Sequence, residues 1–218
     1  MRTAAIFSKT LLSVVLLCAA AGLMSEAAAF AVYTSRAAWE AAAGGALTTD
    51  PFDNPVANAA SITFDTGVVS VHQDFDSFSI PGDANAIFAA GQYQGRASRD
   101  VQEITWTFPS PIFAFGADWT SPVSLGLLTV RGNFDGTGTD TIELLDYIAL
   151  DTDGFLGIVG TSPFVSIVFG TERTPQNEAF GVDNLSFTAQ VVSAPATMVL
   201  LAGGLAALGL RRRRPRAA

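Results

Sequence analysis

The sequence predicts an all-β domain, an antiparallel β-sandwich with one short N-terminal helix. Short stretches of alternating apolar and polar residues recur about every ten residues, and turns rich in Gly, Pro and Asp separate them. Sixteen phenylalanines supply apolar side chains large enough to fill the space between two sheets. We therefore expect one β-sandwich domain over residues 30–190.

The predicted helix covers residues 36–43. Thr34 or Ser35 can cap its N-terminus, and Gly44 with Gly45 can end it. Trp39 is the large apolar residue of this segment, so we expect it to be the contact between the helix and the core.

The clearest predicted strand covers residues 101–108. Ile104, Trp106 and Phe108 alternate there with polar residues, as on a strand with one buried face. The segment Pro109-Ser110-Pro111 is expected to separate it from the next strand, residues 112–119, which is apolar on both faces. Shorter strands are predicted at residues 61–64, 68–71, 77–80, 86–89, 125–130, 142–145, 155–159, 164–169 and 180–187.

The N-terminal residues have the pattern of a secretory signal peptide. Arg2 and Lys9 precede an apolar run, and Ala27 to Ala29 follow it, so we expect cleavage after Ala29 and a signal peptide over residues 1–29. Cys18 raises the alternative of a lipoprotein signal, but Leu17 stands where a small residue is expected. Removal of the peptide takes away the only cysteine, which excludes disulfides and thiolate chemistry in the exported chain.

The C-terminal residues 191–218 contain an apolar segment followed by a cluster of arginines. Residues 194–210 carry no charge and are near the lower limit of a membrane-spanning helix. The arginine cluster is expected to stay cytoplasmic, which places the domain outside. The segment can be a permanent anchor or a temporary one that a membrane enzyme removes.

Motif residues in this tail resemble a known sorting signal. Pro195-Ala196-Thr197, the apolar segment and the arginine cluster are similar to the PEP-CTERM signal of Gram-negative bacteria, whose usual motif is Pro-Glu-Pro-Ala-Thr. Ser193 and Ala194 stand where that motif has its first Pro and its Glu. The resemblance implies processing by an exosortase, transient residence in the inner membrane, and sorting to the cell surface or extracellular matrix together with exopolysaccharide. The residues concerned are Ser193, Ala194, Pro195, Ala196, Thr197, Arg211, Arg212, Arg213 and Arg214.

The middle of the chain also resembles domains that precede such tails. A helix at residues 33–39, a strand at residues 49–53 and the segments at residues 113–118, 154–159 and 180–187 are similar, in order and composition, to jelly-roll-like domains found ahead of PEP-CTERM signals. The resemblance implies a jelly-roll-like β-sandwich.

Charge and residue usage exclude several functions. Residues 30–190 contain five arginines and nineteen acidic residues, a net charge of −14, which repels nucleic acid phosphates. His72 is the only histidine, interpreted as a surface or strand-end residue, and no G-x-S-x-G motif occurs. We therefore predict no catalytic residues and no enzyme activity. The alternative is a secreted carbohydrate-active enzyme with paired carboxylates.

Two acidic turns are candidates for a structural calcium ion, and the sequence predicts no other cofactor. Asp135 and Asp140 lie in one turn, and Asp151 and Asp153 lie in another. Calcium prefers such oxygen ligands. The same residues are also common in turns that bind no metal.

Five further positions are candidate ligand contacts. Asp183 and Asn184 lie within an apolar strand, where the pair is expected to be buried and to hydrogen-bond a neighbouring loop or to contact a ligand or metal. Aromatic residues next to turns can stack on sugars or pack in the core, and these are Tyr93, Trp119 and Tyr147. The sequence thus predicts an exported, non-catalytic surface or matrix protein associated with polysaccharide, with an exosortase-like enzyme as its processing partner.

Overall fold

The computed structural model describes residues 30–76, 78, 82–97, 102–120, 128–171 and 178–189. The predicted signal peptide, the sorting tail and all but Phe78 of the strand predicted at residues 77–80 lie outside these ranges. Within the described residues, no helix has the length and apolar character needed to cross a bilayer.

The described residues form eleven β-strands and one α-helix. In chain order the elements are β1 (Phe30–Tyr33), α1 (Arg36–Ala43), β2 (Thr48–Asp50), β3 (Ser61–Thr63), β4 (Val69–His72), β5 (Ala84–Phe88), β6 (Gln92–Ala97), β7 (Ile104–Thr120), β8 (Leu128–Gly132), β9 (Asp140–Glu143), a 3-10 helix (Leu144–Asp146), β10 (Gly154–Thr171) and β11 (Glu178–Thr188). All the strand pairs are antiparallel. The predicted antiparallel β-sandwich with one short helix is confirmed.

Two long strands, β7 and β10, run through both layers of the sandwich. Layer I has the order β3-β4-β7-β10-β8-β9 and uses the first half of β7 and the second half of β10. Layer II has the order β5-β6-β11-β7-β10-β1 and uses the other halves, with β2 beside the end of β11. The two layers are therefore parts of one continuous sheet.

The sequence predicted two separate strands in the place of β7 and two in the place of β10, and in the structure each is one strand with an irregular pairing at the predicted break. Residues 104–120 form one strand, so the expectation that Pro109-Ser110-Pro111 ends a strand is wrong. The pairing of β7 with β10 shifts register between Val159 and Ser166, opposite the prolines. A bulge accommodates proline because the ladder hydrogen bonds are already interrupted there.

The core consists of aromatic rings contributed by both layers. Trp106 of layer I contacts Tyr93 of layer II with ring centroids 5.0 Å apart, and Phe169 of layer I contacts Trp119 of layer II at 5.8 Å. All four residues are buried. Edge-to-face and tilted ring pairs of this kind add stability to the burial of apolar area.

Helix α1 covers part of the outer face of layer II. Ser35 is the N-cap, since its Oγ accepts the Ala38 N–H at 3.5 Å, and Gly44 ends the helix with a φ of +63°. Trp39 is completely buried, and its Nε1 donates a hydrogen bond to the Ile158 carbonyl at 3.2 Å. The predicted cap, end and core contact of the helix are confirmed.

Two strands were not predicted as strands from the sequence. In β6, polar residues alternate with Tyr93 and Gly95, so the segment lacks the apolar run that marks most strands of this chain. β1 lies directly after the predicted signal peptide. The strand predicted at residues 142–145 ends at Glu143, because a 3-10 helix begins at Leu144.

Candidate ligand-binding face

The outer surface of layer II presents a row of polar side chains on β6. Tyr93 points into the core, so Gln92, Gln94 and Arg96 point to the opposite face, because side chains alternate along a strand. β5 lies on one side of β6, and Phe88 of β5 pairs with Gln92. β11 lies on the other side, followed by Thr120 at the end of β7. We call this surface, formed by Phe88, Gln92, Gln94, Arg96 and Thr120, the glutamine face.

A hollow of about 340 Å³ opens on the glutamine face. Its floor is made of small residues on the neighbouring strands, Ala84, Ala179 and Gly181. Small residues leave the polar side chains standing around an open depression. An extended ligand can therefore lie against the sheet and reach several of these side chains together.

Gly181 gives Gln92 the space it occupies. A Cβ atom at Gly181 would lie 2.6 Å from Gln92 Nε2, closer than two such atoms can approach. Gln92 therefore extends over β11 and donates a hydrogen bond from Nε2 to Thr120 Oγ1 at 2.7 Å. This contact fixes the amide group, and its carbonyl oxygen remains an available acceptor among the described residues.

The remaining polar groups of the face are also available. Gln94 is exposed, and its amide carries both donors and an acceptor. Arg96 is half-buried, and none of the ion pairs found among the described residues involves its guanidinium. The face thus combines neutral hydrogen-bonding groups with one cation.

Phe88 is an aromatic residue at the edge of this hollow. Its side chain is 46% exposed, whereas most phenylalanines of the domain are buried. An exposed ring beside fixed polar groups can contact the apolar face of a ligand while those groups bind its polar edge. Phe88 was predicted as part of a strand, and its place next to the turn at Gly91 was the available signal for exposure.

None of the three aromatic residues that the sequence suggested as sugar contacts lies on the glutamine face. Tyr93 and Trp119 are buried, so they contribute to the core and cannot stack on an external ligand. Tyr93 Oη donates a hydrogen bond to Asn85 Oδ1 at 3.0 Å, and burial raises the pKa of this tyrosine. Tyr147 is 40% exposed and follows the 3-10 helix, outside the glutamine face.

Asn184 joins helix α1 to layer II, and Asp183 precedes it in β11. Both are half-buried, so the expectation of a fully buried pair is wrong. Asn184 has a φ of +50° at a register shift of β11, and its carbonyl accepts a hydrogen bond from Arg36 Nη2 at 3.0 Å. The same guanidinium pairs with Asp118 Oδ2 at 3.0 Å. The predicted hydrogen bonds are present, but their partners are helix α1, strand β7 and the pair itself, so the expectation of a neighbouring loop is wrong.

Two carboxylates lie next to each other at this place in layer II. Asp118 and Asp183 are directly paired across β7 and β11. Partial burial raises the pKa of Asp183, and the charges of Asp118 and Asp53 raise it further. Asp118, however, is held by Arg36 and by Asn184 Nδ2, so its two partners fix it as part of the anchor for α1.

Internal hydrogen bonds hold the carboxylates of the first acidic turn. Asp140 Oδ2 accepts the N–H groups of Phe134 and Asp135 at 2.8 and 3.3 Å. Asp135 Oδ1 accepts from both the backbone and the hydroxyl of Thr137, and the backbone contact, the larger cause, lowers the pKa of Asp135. Asp151 adopts a left-handed φ of +55° in the second turn.

The structure does not assemble the four aspartates into one ligand set. Across the described ranges, no group of three or more His, Cys, Asp or Glu side chains is placed to hold a metal ion. Those ranges include Asp135, Asp140, Asp151 and Asp153. Calcium is thus one of the two alternatives that the sequence left open for these turns, and the hydrogen bonds in the first turn form without it.

His72 is buried, so its interpretation as a surface residue is wrong, although it does end a strand. Nδ1 lies 2.8 Å from the Gln73 carbonyl oxygen, and Nε2 lies 2.8 Å from the carbonyl oxygen of Arg96. The ring thus joins β4 of layer I to β6 of layer II. Both ring nitrogens lie next to backbone carbonyl oxygens, so neither is directed at the glutamine face.

Comparisons with known proteins give only distant similarity. No protein-family model matches the chain, and no curated protein matches it. A variant of a family 29 carbohydrate-binding module is similar in structure with 12% identity and a TM-score of 0.42, and covers 69% of this chain and 99% of its own. Another variant, described as complexed with mannohexaose, has 10% identity, a TM-score of 0.35 and coverage of 67% and 94%. A low-affinity xylan-binding module of family 86 from Roseburia intestinalis has 13% identity, a TM-score of 0.32 and coverage of 46% and 79%.

Proposed function

We propose that the domain binds a neutral polysaccharide through the glutamine face, as a non-catalytic protein of the cell surface or extracellular matrix. The observation that carries the proposal is that the exposed Phe88 ring lies beside Gln92, Gln94 and Arg96 in one hollow. These groups project from hydrogen-bonded strands, so their spacing is fixed before a ligand arrives.

Sugars match this set of groups in two ways. Their hydroxyls donate and accept hydrogen bonds, as the amides of Gln92 and Gln94 also do, while the Arg96 guanidinium donates only. Their C–H faces are apolar and fit the ring of Phe88. An open hollow on a sheet suits a chain that continues past the site at both ends.

The charge of the domain favours a neutral ligand. Residues 30–190 carry a net charge of −14, which opposes association with polyanions at low and moderate ionic strength. Arg96 is the only cation of the glutamine face, so this face does not offset that charge.

Isothermal titration calorimetry with the full chain in mild detergent tests the binding proposal. Soluble xylan and mannohexaose, the ligands named for two of the similar modules, serve as neutral probes, and alginate serves as an acidic one. We expect the neutral probes to bind and alginate not to bind. Absence of binding to every neutral probe would overturn the proposal.

Variants locate the site. We expect Phe88→Ala to weaken binding about fivefold, since an exposed aromatic contact is worth roughly 1 kcal/mol and a tenfold change corresponds to about 1.4 kcal/mol. Gln94→Ala is expected to weaken it several-fold. Leu150→Ala, an exposed apolar residue in a turn, is the matched control and should bind as the unmodified chain does. Equal affinities for Phe88→Ala and Leu150→Ala would place the site elsewhere.

For sorting, we propose export by the N-terminal signal and processing at the PEP-CTERM-like tail by an exosortase-like enzyme. The support is the combination of Pro195-Ala196-Thr197, the uncharged segment and the arginine cluster. A tag placed after Ala218 should be absent from the surface form in a host with an exosortase. A stable membrane-bound protein that keeps the tag would identify a permanent anchor instead.

A second candidate function, a carbohydrate-active enzyme, rests on Asp118 and Asp183. Two adjacent carboxyls with one pKa raised resemble an acid and base pair. Incubation of the bound polysaccharide followed by reducing-sugar analysis separates the candidates. We expect no release of sugar, whereas release that Asp183→Asn abolishes would favour the enzyme.

A further inference from the structure

A second hollow opens on the outer face of layer I, with a volume of about 390 Å³. It lies along β8 and the second half of β10, and Glu103, which directly precedes the first residue of β7, is part of its lining. Ile167 and Phe169 of β10 point into the core. Side chains alternate along a strand, so Ser166 and Val168 of β10 point outward. The hollow is lined mainly by Glu103, Arg131, Asn133, Thr139, Ser166 and Val168.

The two hollows lie on opposite sides of the sandwich. The inner faces of the layers contact each other through Trp106 and Tyr93, whose rings are 5.0 Å apart. The outer faces therefore point away from each other. A ligand in the second hollow leaves the glutamine face open.

Both hollows are built in the same way. A Cβ atom at Gly170 would lie 3.1 Å from Arg131 Nη2, so this glycine leaves room for the guanidinium beside β10. Gly181 does the same for Gln92 on layer II. In each case a long polar side chain lies against the sheet at the edge of an open depression.

The lining of the second hollow suits a neutral, hydroxyl-rich ligand. Arg131 forms an ion pair with Glu103, so these two charges compensate each other and leave no net charge to retain a free ion. Asn133 and Thr139 are exposed, and Ser166 is half-buried. Val165, 49% exposed at the rim, supplies an apolar contact.

We infer that the second hollow binds a second polysaccharide chain, which makes the domain bivalent and able to crosslink polysaccharide. The inference rests on the proposed function, because it assigns to layer I the class of ligand proposed for layer II. A single domain with sites on opposite faces joins two chains without any need to dimerise. Chains held at many such points form a network whose strength exceeds that of the single contacts.

The test compares single-site variants in two measurements. Titration with mannohexaose should give two full-affinity sites per chain for the unmodified protein. Only one should remain in the double variant Phe88→Ala with Gln94→Ala, and only one in the double variant Thr139→Ala with Ser166→Ala. These polar-to-alanine changes lie at the surface and should preserve folding, which thermal unfolding checks. Arg131→Gln provides an independent change in the same hollow and should also leave one site.

Crosslinking is read from light scattering of the protein mixed with soluble xylan. The unmodified protein should raise the scattering, and each single-site variant should abolish the rise while xylan binding persists. One site per unmodified chain, or scattering that survives both changes in the second hollow, overturns the inference and leaves the proposed function standing. If the unmodified protein binds neither mannohexaose nor xylan, the proposed function itself is overturned.

Discussion

The indole of Trp39 lies directly against Gly157 of β10. A Cβ atom at Gly157 would lie 2.6 Å from the indole Cγ, and one at Gly116 of β7 would lie 3.0 Å from its Cε2. Two adjacent strands thus carry glycine where the helix inserts its largest side chain. The docking of α1 onto layer II depends on this space as much as on the hydrogen bond from Trp39 to Ile158.

Gly157→Ala should therefore destabilise the domain. The added methyl group overpacks a filled site, which costs about 1–3 kcal/mol in the free energy of unfolding. Chemical denaturation with urea measures the change. Gly138→Ala is the matched control, because a Cβ atom there has nothing within 4 Å, and it should leave the midpoint nearly unchanged. Equal midpoints for the two variants would contradict the assigned role of Gly157.

Gly181→Ala should weaken ligand binding and leave the stability of the domain almost unchanged. The atom that a Cβ would meet is the end of the flexible Gln92 side chain, which can rotate away at little cost to stability. Rotation breaks the hydrogen bond from Gln92 to Thr120 and fills part of the hollow. We expect binding of mannohexaose to fall several-fold while the urea midpoint stays close to that of the unmodified chain. A lowered midpoint with unchanged binding would show that Gly181 serves packing alone.

Asp183→Asn should stabilise the domain near neutral pH. The raised pKa means that the folded state holds the Asp183 proton more tightly than the unfolded state does. This contribution is fully present below the ordinary pKa of an aspartic acid and is lost as the pH rises through the raised value. The neutral amide removes the unfavourable ionised form at pH 7.

Thermal unfolding as a function of pH measures this effect. The midpoint of Asp183→Asn should exceed that of the unmodified chain at neutral pH, and the gap should close towards about pH 3, below the ordinary pKa of the group. Glu40→Gln, an exposed position on α1, serves as the control. A gap that widens on acidification would mean that the ionised form is the stabilising one.

Removal of divalent cations should not change the unfolding midpoint. Asp140 already accepts two backbone N–H groups, and Asp135 accepts from Thr137. Asp140→Ala should instead lower the stability by about 1–2 kcal/mol, because it leaves those N–H groups without their acceptor. Melting curves with and without EDTA make the comparison. A midpoint that falls with EDTA would show that calcium contributes to the fold.

The sequence predicted those parts of the fold that depend on local pattern. The alternation of Ile104, Trp106 and Phe108 identified a half-buried strand, and Ser35 and Gly44 marked the ends of α1. The continuity of β7 could not be predicted, because proline usually interrupts a strand and only the partner β10 shows that a bulge lies there.

The candidate site was harder to predict for a related reason. Gln92, Gln94 and Arg96 are ordinary surface residues until β11 and β7 are placed beside them. Tyr93 and Trp119 were plausible sugar contacts next to turns, yet their side chains point inward because of the register of their strands. Register depends on long-range pairing, which local composition does not encode.

The position of β11 has a consequence for how the chain reaches this structure. The last strand in sequence lies between β6 and β7, and the Cα pairings place it against both. Layer II therefore lacks its central strand until the chain is complete as far as Thr188. The pairings that close the sandwich connect residues far apart in sequence, which makes folding slow relative to helical domains of this size. The domain consequently cannot close before β11 has been synthesised, and until then the edges of β6 and β7 that β11 covers are unpaired.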